Sequence, residues 1–74
     1  MNARTAGKRI LKLGGYQVRQ RGSHRFYEAR RALPDGTIVV ANTVVAQHPG
    51  DIAVGTLRAI ERDMESVFGE RWLR

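Results

Sequence analysis

The chain contains no cysteine. That excludes a disulfide framework and a thiolate metal site. Its only histidines, His24 and His48, lie far apart in sequence, so no dedicated metal site is expected. Neither a phosphate-binding Walker loop nor a dinucleotide fingerprint is present, and no cofactor is expected. Nothing matches a Ser-His-Asp spacing, and Glu28 and Asp35 show no pairing that suits two-carboxylate catalysis. Long apolar runs are missing too. The longest stretch without a charged residue, Gly36 to Gly50, contains Asn42, Thr43, Gln47 and Pro49 and does not read as a membrane span. The N-terminus lacks the apolar core of a signal peptide, so a cytoplasmic protein is expected. Aromatic residues are few, 7% of the chain, and 74 residues make one small domain with a thin core. Such a core leaves a net stability of roughly 3–5 kcal/mol.

Acidic residues are also scarce. Seven Asp and Glu face thirteen Lys and Arg, giving a net charge of +6 and a pI of about 11.1. Only Lys8 and Lys12 of the basic residues are lysine. Solubility is served by lysine, whereas arginine is the better planar donor to phosphate and stacks on bases. A coding bias toward arginine explains enrichment but not placement. Nucleic acid is therefore the leading partner class.

The order of elements follows from punctuation and periodicity. Met1 to Arg4 reads as a loose end, after which Thr5 caps a helix running to about Leu13. Ala6, Ile10 and Leu13 share its apolar face. Gly14-Gly15 stops that helix. Tyr16–Gln20 alternates, with Tyr16 and Val18 on one face, and reads as a strand. Arg21-Gly22-Ser23 is a turn, and His24–Ala29 a second strand. Arg30-Arg31-Ala32 is expected to widen the hairpin into a basic tip before the turn Leu33-Pro34-Asp35-Gly36. Thr37 to about Ala46, rich in Val, Ile and Thr, is expected to be the central or longest strand. Asp51 caps a second helix whose stripe is Val54, Leu57, Ile60, Met64, Val67 and Phe68, with Arg58, Glu61, Arg62 and Glu65 on its wet face. Gly69 ends it, and Trp72 and Leu73 either fold back on the core edge or meet a partner. Helix, three strands, helix is an α/β (α+β) single domain with both helices on one face of an antiparallel sheet.

Arg19-Gln20-Arg21-Gly22-Ser23-His24-Arg25 concentrates the chemistry. Imidazole moves protons near neutral pH, and guanidinium grips phosphate. Gly22 lets backbone approach a ligand closely, and Ser23 adds a hydroxyl. His24 in this setting suits general-base removal of a 2′-hydroxyl proton, with Arg21 and Arg25 stabilising charge on the attacked phosphate. Arg19 raises the same local potential. His48, beside Pro49-Gly50 and the second helix, is a candidate general acid, and Thr56 and Arg58 are candidate phosphate contacts. Each also has a plain structural reading as a loop, core or surface residue. Tyr16, Phe26 and Tyr27 offer stacking surfaces, although Phe26 and one tyrosine are expected in the core.

Gly14-Gly15-Tyr16 followed by Val18–His24, and then His48-Pro49-Gly50 with Gly55–Ile60, resembles the HicA family of toxins from bacterial toxin–antitoxin modules. The resemblance covers roughly residues 7 to 68. It implies a double-stranded-RNA-binding-domain-like fold across residues 1–74, with 69–74 as a tail. It also implies a metal-independent mRNA interferase whose essential histidine is His24, and a HicB-like antitoxin partner that covers the site. The chain departs from the family pattern at Arg25, often a second histidine, and at Ala46, often proline. The alternative on the same fold is a non-catalytic RNA-binding module, in which shape and phosphate contacts do all the work.

Overall fold

In the computed structural model, which describes residues 1–74, the chain runs α1 (Ala3–Lys12), β1 (Tyr16–Arg21), β2 (His24–Ala32), β3 (Ile38–Ala46) and α2 (Val54–Phe68). The strands form one antiparallel sheet in the order β1-β2-β3. Both helices cover one face of it, giving the expected α+β arrangement. β2, not β3, is central, because two successive hairpins place the middle strand in sequence between its neighbours. β2 and β3 are equal in length at nine residues each.

α1 starts earlier than its sequence suggests. Asn2 is the cap, its Oδ1 accepting the Thr5 backbone N–H at 2.9 Å, so Met1–Arg4 is not a loose end. Ala3, Ala6, Gly7 and Ile10 face the sheet, while Leu13 lies past the helix and is exposed. Gly7 makes room for β2's largest buried side chain: a Cβ there would come within 2.6 Å of the Tyr27 hydroxyl. The bare backbone at Gly7 leaves room for the end of the buried Tyr27 ring, which stands up from β2 against α1.

The helix-facing side of the sheet carries Tyr27, Ala29, Ala41, Thr43 and Val45, all buried. Above them Ile10, Ile60 and Met64 complete the core, each worth about 1.5–3 kcal/mol of burial. Thr43 donates from Oγ1 to the Asp63 carboxylate at 2.9 Å, tying β3 to α2. Phe26 is not core. It alternates with Tyr27 and stands half-buried on the outer face, beside Arg19 and Val44. Arg30, Arg31 and Ala32 form no basic tip either. They extend β2 and pair with Val40, Val39 and Ile38, because the turn closes further out, where Leu33 donates its N–H to the Thr37 carbonyl at 2.8 Å.

In α2 the expected stripe is buried at its middle, at Ile60 and Met64, but Val54 at its start is 65% exposed. Asp51 does not cap this helix. Its carboxylate meets the Met1 amino group at 3.4 Å, and α2 begins after Ala53 with no side-chain cap. Gly69 ends the helix with φ at 90°, and the tail turns back over it. Trp72 and Leu73 are buried, and the Trp72 indole N–H donates to the Glu61 carbonyl at 2.7 Å. Glu61 is consequently buried rather than on the wet face. Its carboxylate accepts from the Leu73 N–H at 3.3 Å and from Arg74 Nε at 3.0 Å. Among these alternatives for Trp72, the chain takes the fold-back.

Candidate active site

Gly22 and Ser23 form a two-residue turn between β1 and β2, with Arg21 and His24 paired across its mouth. Gly22 has φ at 57°, the positive value that the first position of such a tight hairpin turn demands. No atom lies within 4 Å of where its Cβ would stand, so a ligand can come up to this backbone. The turn is braced from two sides. The Gln20 amide donates to the Gly22 carbonyl at 3.1 Å, and the Gln47 N–H donates to the Ser23 carbonyl at 2.6 Å.

Pleating then decides which side chains accompany His24. His24, Phe26, Glu28 and Arg30 alternate onto the outer face of β2. Cross-strand partners share a face, which sets Arg21 beside His24 and Arg19 beside Phe26. The Arg19 guanidinium carbon lies 4.3 Å from the Phe26 ring centroid, a cation–π contact. A β-bulge between Gln17 and Arg19 makes this possible: Val18 is the extra residue, so simple alternation of Tyr16, Val18 and Gln20 does not hold. His24 is exposed, with Arg21 and Arg19 beside it and no carboxylate among its cross-strand partners.

The other expected contributors are placed differently. Arg25 projects to the helix-facing side, where its Nε donates to Gln20 Oε1 at 3.3 Å, so it does not share a face with His24. Ser23 is half-buried at the turn, one residue from His24. His48 is exposed on the loop after β3, two residues beyond Ala46, which itself pairs with His24. Both histidines thus stand at one end of the sheet. His48 and Thr56 line a hollow of about 200 Å³ between that loop and α2. Arg58 faces the other way, beside Leu73 and Arg74, and is not brought to His24.

A second outer-face cluster escaped sequence reading. Tyr16 donates its hydroxyl hydrogen to the Glu28 carboxylate, which also accepts from Arg30 Nε at 3.4 Å. That hydrogen bond to Glu28 raises the Tyr16 pKa above its ordinary value. Tyr16 and Glu28 are register partners, a relation that only the position of the bulge fixes. No three histidine or carboxylate side chains converge to hold a metal ion, and no helix is long and apolar enough to cross a membrane.

The arrangement therefore offers the exposed His24 imidazole, cations on its own face, and an open glycine backbone beside it. Neither curated proteins nor solved structures provide a significant match to this chain. The family model for the HicA toxin of bacterial toxin–antitoxin systems, however, matches residues 3–65, which takes in both helices nearly whole, all three strands and the turn before His24. The chain belongs to the HicA toxin family.

Proposed function

We propose that this HicA-family protein is an endoribonuclease acting on mRNA, with His24 as its general base. The observation that carries the reading is the pairing of exposed His24 with Arg21 across an open glycine turn. His24 takes the proton of a 2′-hydroxyl, and the 2′-oxygen bonds to phosphorus as the bond to the 5′-oxygen breaks. Arg21 and Arg19 lie on the same face to stabilise the charge that develops on the phosphate oxygens. The leaving 5′-oxygen takes a proton from His48 or from water. Gly22 and Ser23 present backbone and hydroxyl to the same phosphate, while Arg25 serves a flanking phosphate from the other face of the sheet end. A HicB-like antitoxin silences the toxin by covering this turn.

Replacing His24 with alanine tests the assignment. The expected result is a fall in RNA cleavage of about 10²- to 10⁴-fold, with RNA affinity retained and growth arrest on expression abolished. A 2′-deoxy nucleotide at the cleaved position should block the wild-type reaction. Cleavage that survives in the variant would remove His24 from the chemistry. RNA binding without any cleavage by the wild-type chain would instead leave a binding module.

A further inference from the structure

Thr5, Lys8, Arg9 and Lys12 recur at intervals of three, one and three residues, a single stripe along α1. It lies opposite the buried stripe of Ala3, Ala6, Gly7 and Ile10. The refolded tail closes against this polar stripe. Arg9 donates from Nε to the Trp72 carbonyl at 3.0 Å, and Arg74 comes alongside. The result is an open hollow of about 360 Å³ ringed by Lys8, Arg9, Lys12 and Arg74, with the Thr5 hydroxyl among them. No acidic side chain lines it. Glu61 offsets one of these charges from beneath, through Arg74. The neutral partner of Arg9 offsets none, and no ion pair engages Lys8 or Lys12.

We propose that this hollow is a phosphate-binding site for the RNA backbone, separate from the His24 turn. Four cations held around one concavity, with unspent donors, match a polyanion. The lining decides against a protein partner. Its only apolar contributors are Met1 and Leu73, and protein interfaces need a buried apolar or aromatic anchor and are depleted in lysine. α1 begins at the sheet end where His24 stands, since Asn2 bridges to Asp51 in the loop carrying His48. His24 stands on the outer face of the sheet and the hollow on the far side of α1, so an RNA chain engages both by passing round this end of the domain. Leu73 and Arg74 fall outside residues 3–65, so the hollow is built partly from chain that the family pattern does not include.

The site extends the proposed RNA reaction, and its test separates the two. Lys8→Gln and Lys12→Gln are combined in the full chain, both being exposed positions off the core. Binding of a long fluorescent single-stranded RNA is measured against salt in a His24→Ala background, so that cleavage does not intervene. The slope of log affinity on log salt should fall by about 1.4, roughly 0.7 for each charge removed. In the otherwise wild-type chain, cleavage of a short oligonucleotide and the melting temperature should not change. An unchanged slope overturns the site. So does loss of polyglutamate binding with RNA binding intact, which would assign the hollow to an acidic protein. A falling slope in a protein that never cleaves RNA keeps the hollow and removes the nuclease; an unchanged slope in one that cleaves does the reverse.

Discussion

A tyrosine and a glutamate facing each other across β1 and β2 make the outer face sensitive to alkali. The Glu28 carboxylate holds the Tyr16 proton, so the Tyr16 pKa is raised in the folded chain. The sign follows from linkage. The folded state binds this proton more tightly than the unfolded chain does. The contribution is complete below the ordinary tyrosine range and disappears as pH rises through the folded value. NMR titration of the Tyr16 ring should show ionisation above that range, and Glu28→Gln should bring it down. A Tyr16 titration that ignores Glu28→Gln would dissociate the pair. Little of this was legible in the sequence. Tyr16 reads singly as a stacking surface and Glu28 as an unpaired carboxylate, and what joins them is a register that depends on one extra residue in β1. His24 was legible, because glycine, serine and arginine crowd around it within one turn.

Helices and strands divide along the same line. Glycines mark the ends of both helices and the tight turn at Gly22, and the three-and-four spacing of Ile60, Met64 and Val67 fixes the buried side of α2. Local chemistry sufficed there. Caps were less legible, since several polar residues compete for each start. Asn2 outcompetes Thr5, and Asp51 is diverted to the Met1 amino group. α2 is left with Ala53 at its cap position and bare N–H groups in its first turn. Ala53→Ser should supply an acceptor and stabilise the protein by about 1 kcal/mol. In a domain of this size that raises the melting temperature by about 4–8 °C, readable by circular dichroism. The length of β2 was illegible for another reason: Arg30 and Arg31 look like loop residues until β3 pairs with them.

For the molecule as a whole, the last residues matter out of proportion to their number. Trp72 makes an edge-on contact with Phe68 at 5.1 Å, binds Glu61 through its indole and receives Arg9 on its carbonyl. Trp72→Ala should remove about 3–5 kcal/mol. That equals the roughly 3–5 kcal/mol expected for a core this small, so the variant should be largely unfolded at 25 °C by urea titration. A variant that melts like the wild type would show the tail to be an accessory. The bulge at Val18 bears on inheritance rather than stability. Register partners on either side of it, Gln17 with Tyr27 and Arg19 with Phe26, already alternate correctly without the intervening residue. An in-frame loss of that one codon therefore closes β1 into a regular ladder with Arg19 and Arg21 still facing His24's side. An in-frame gain on the hairpin side of Arg19 reverses the parity instead and turns arginine away from the histidine. Descendants of this chain can shorten β1 at Val18 more safely than they can lengthen it near the turn.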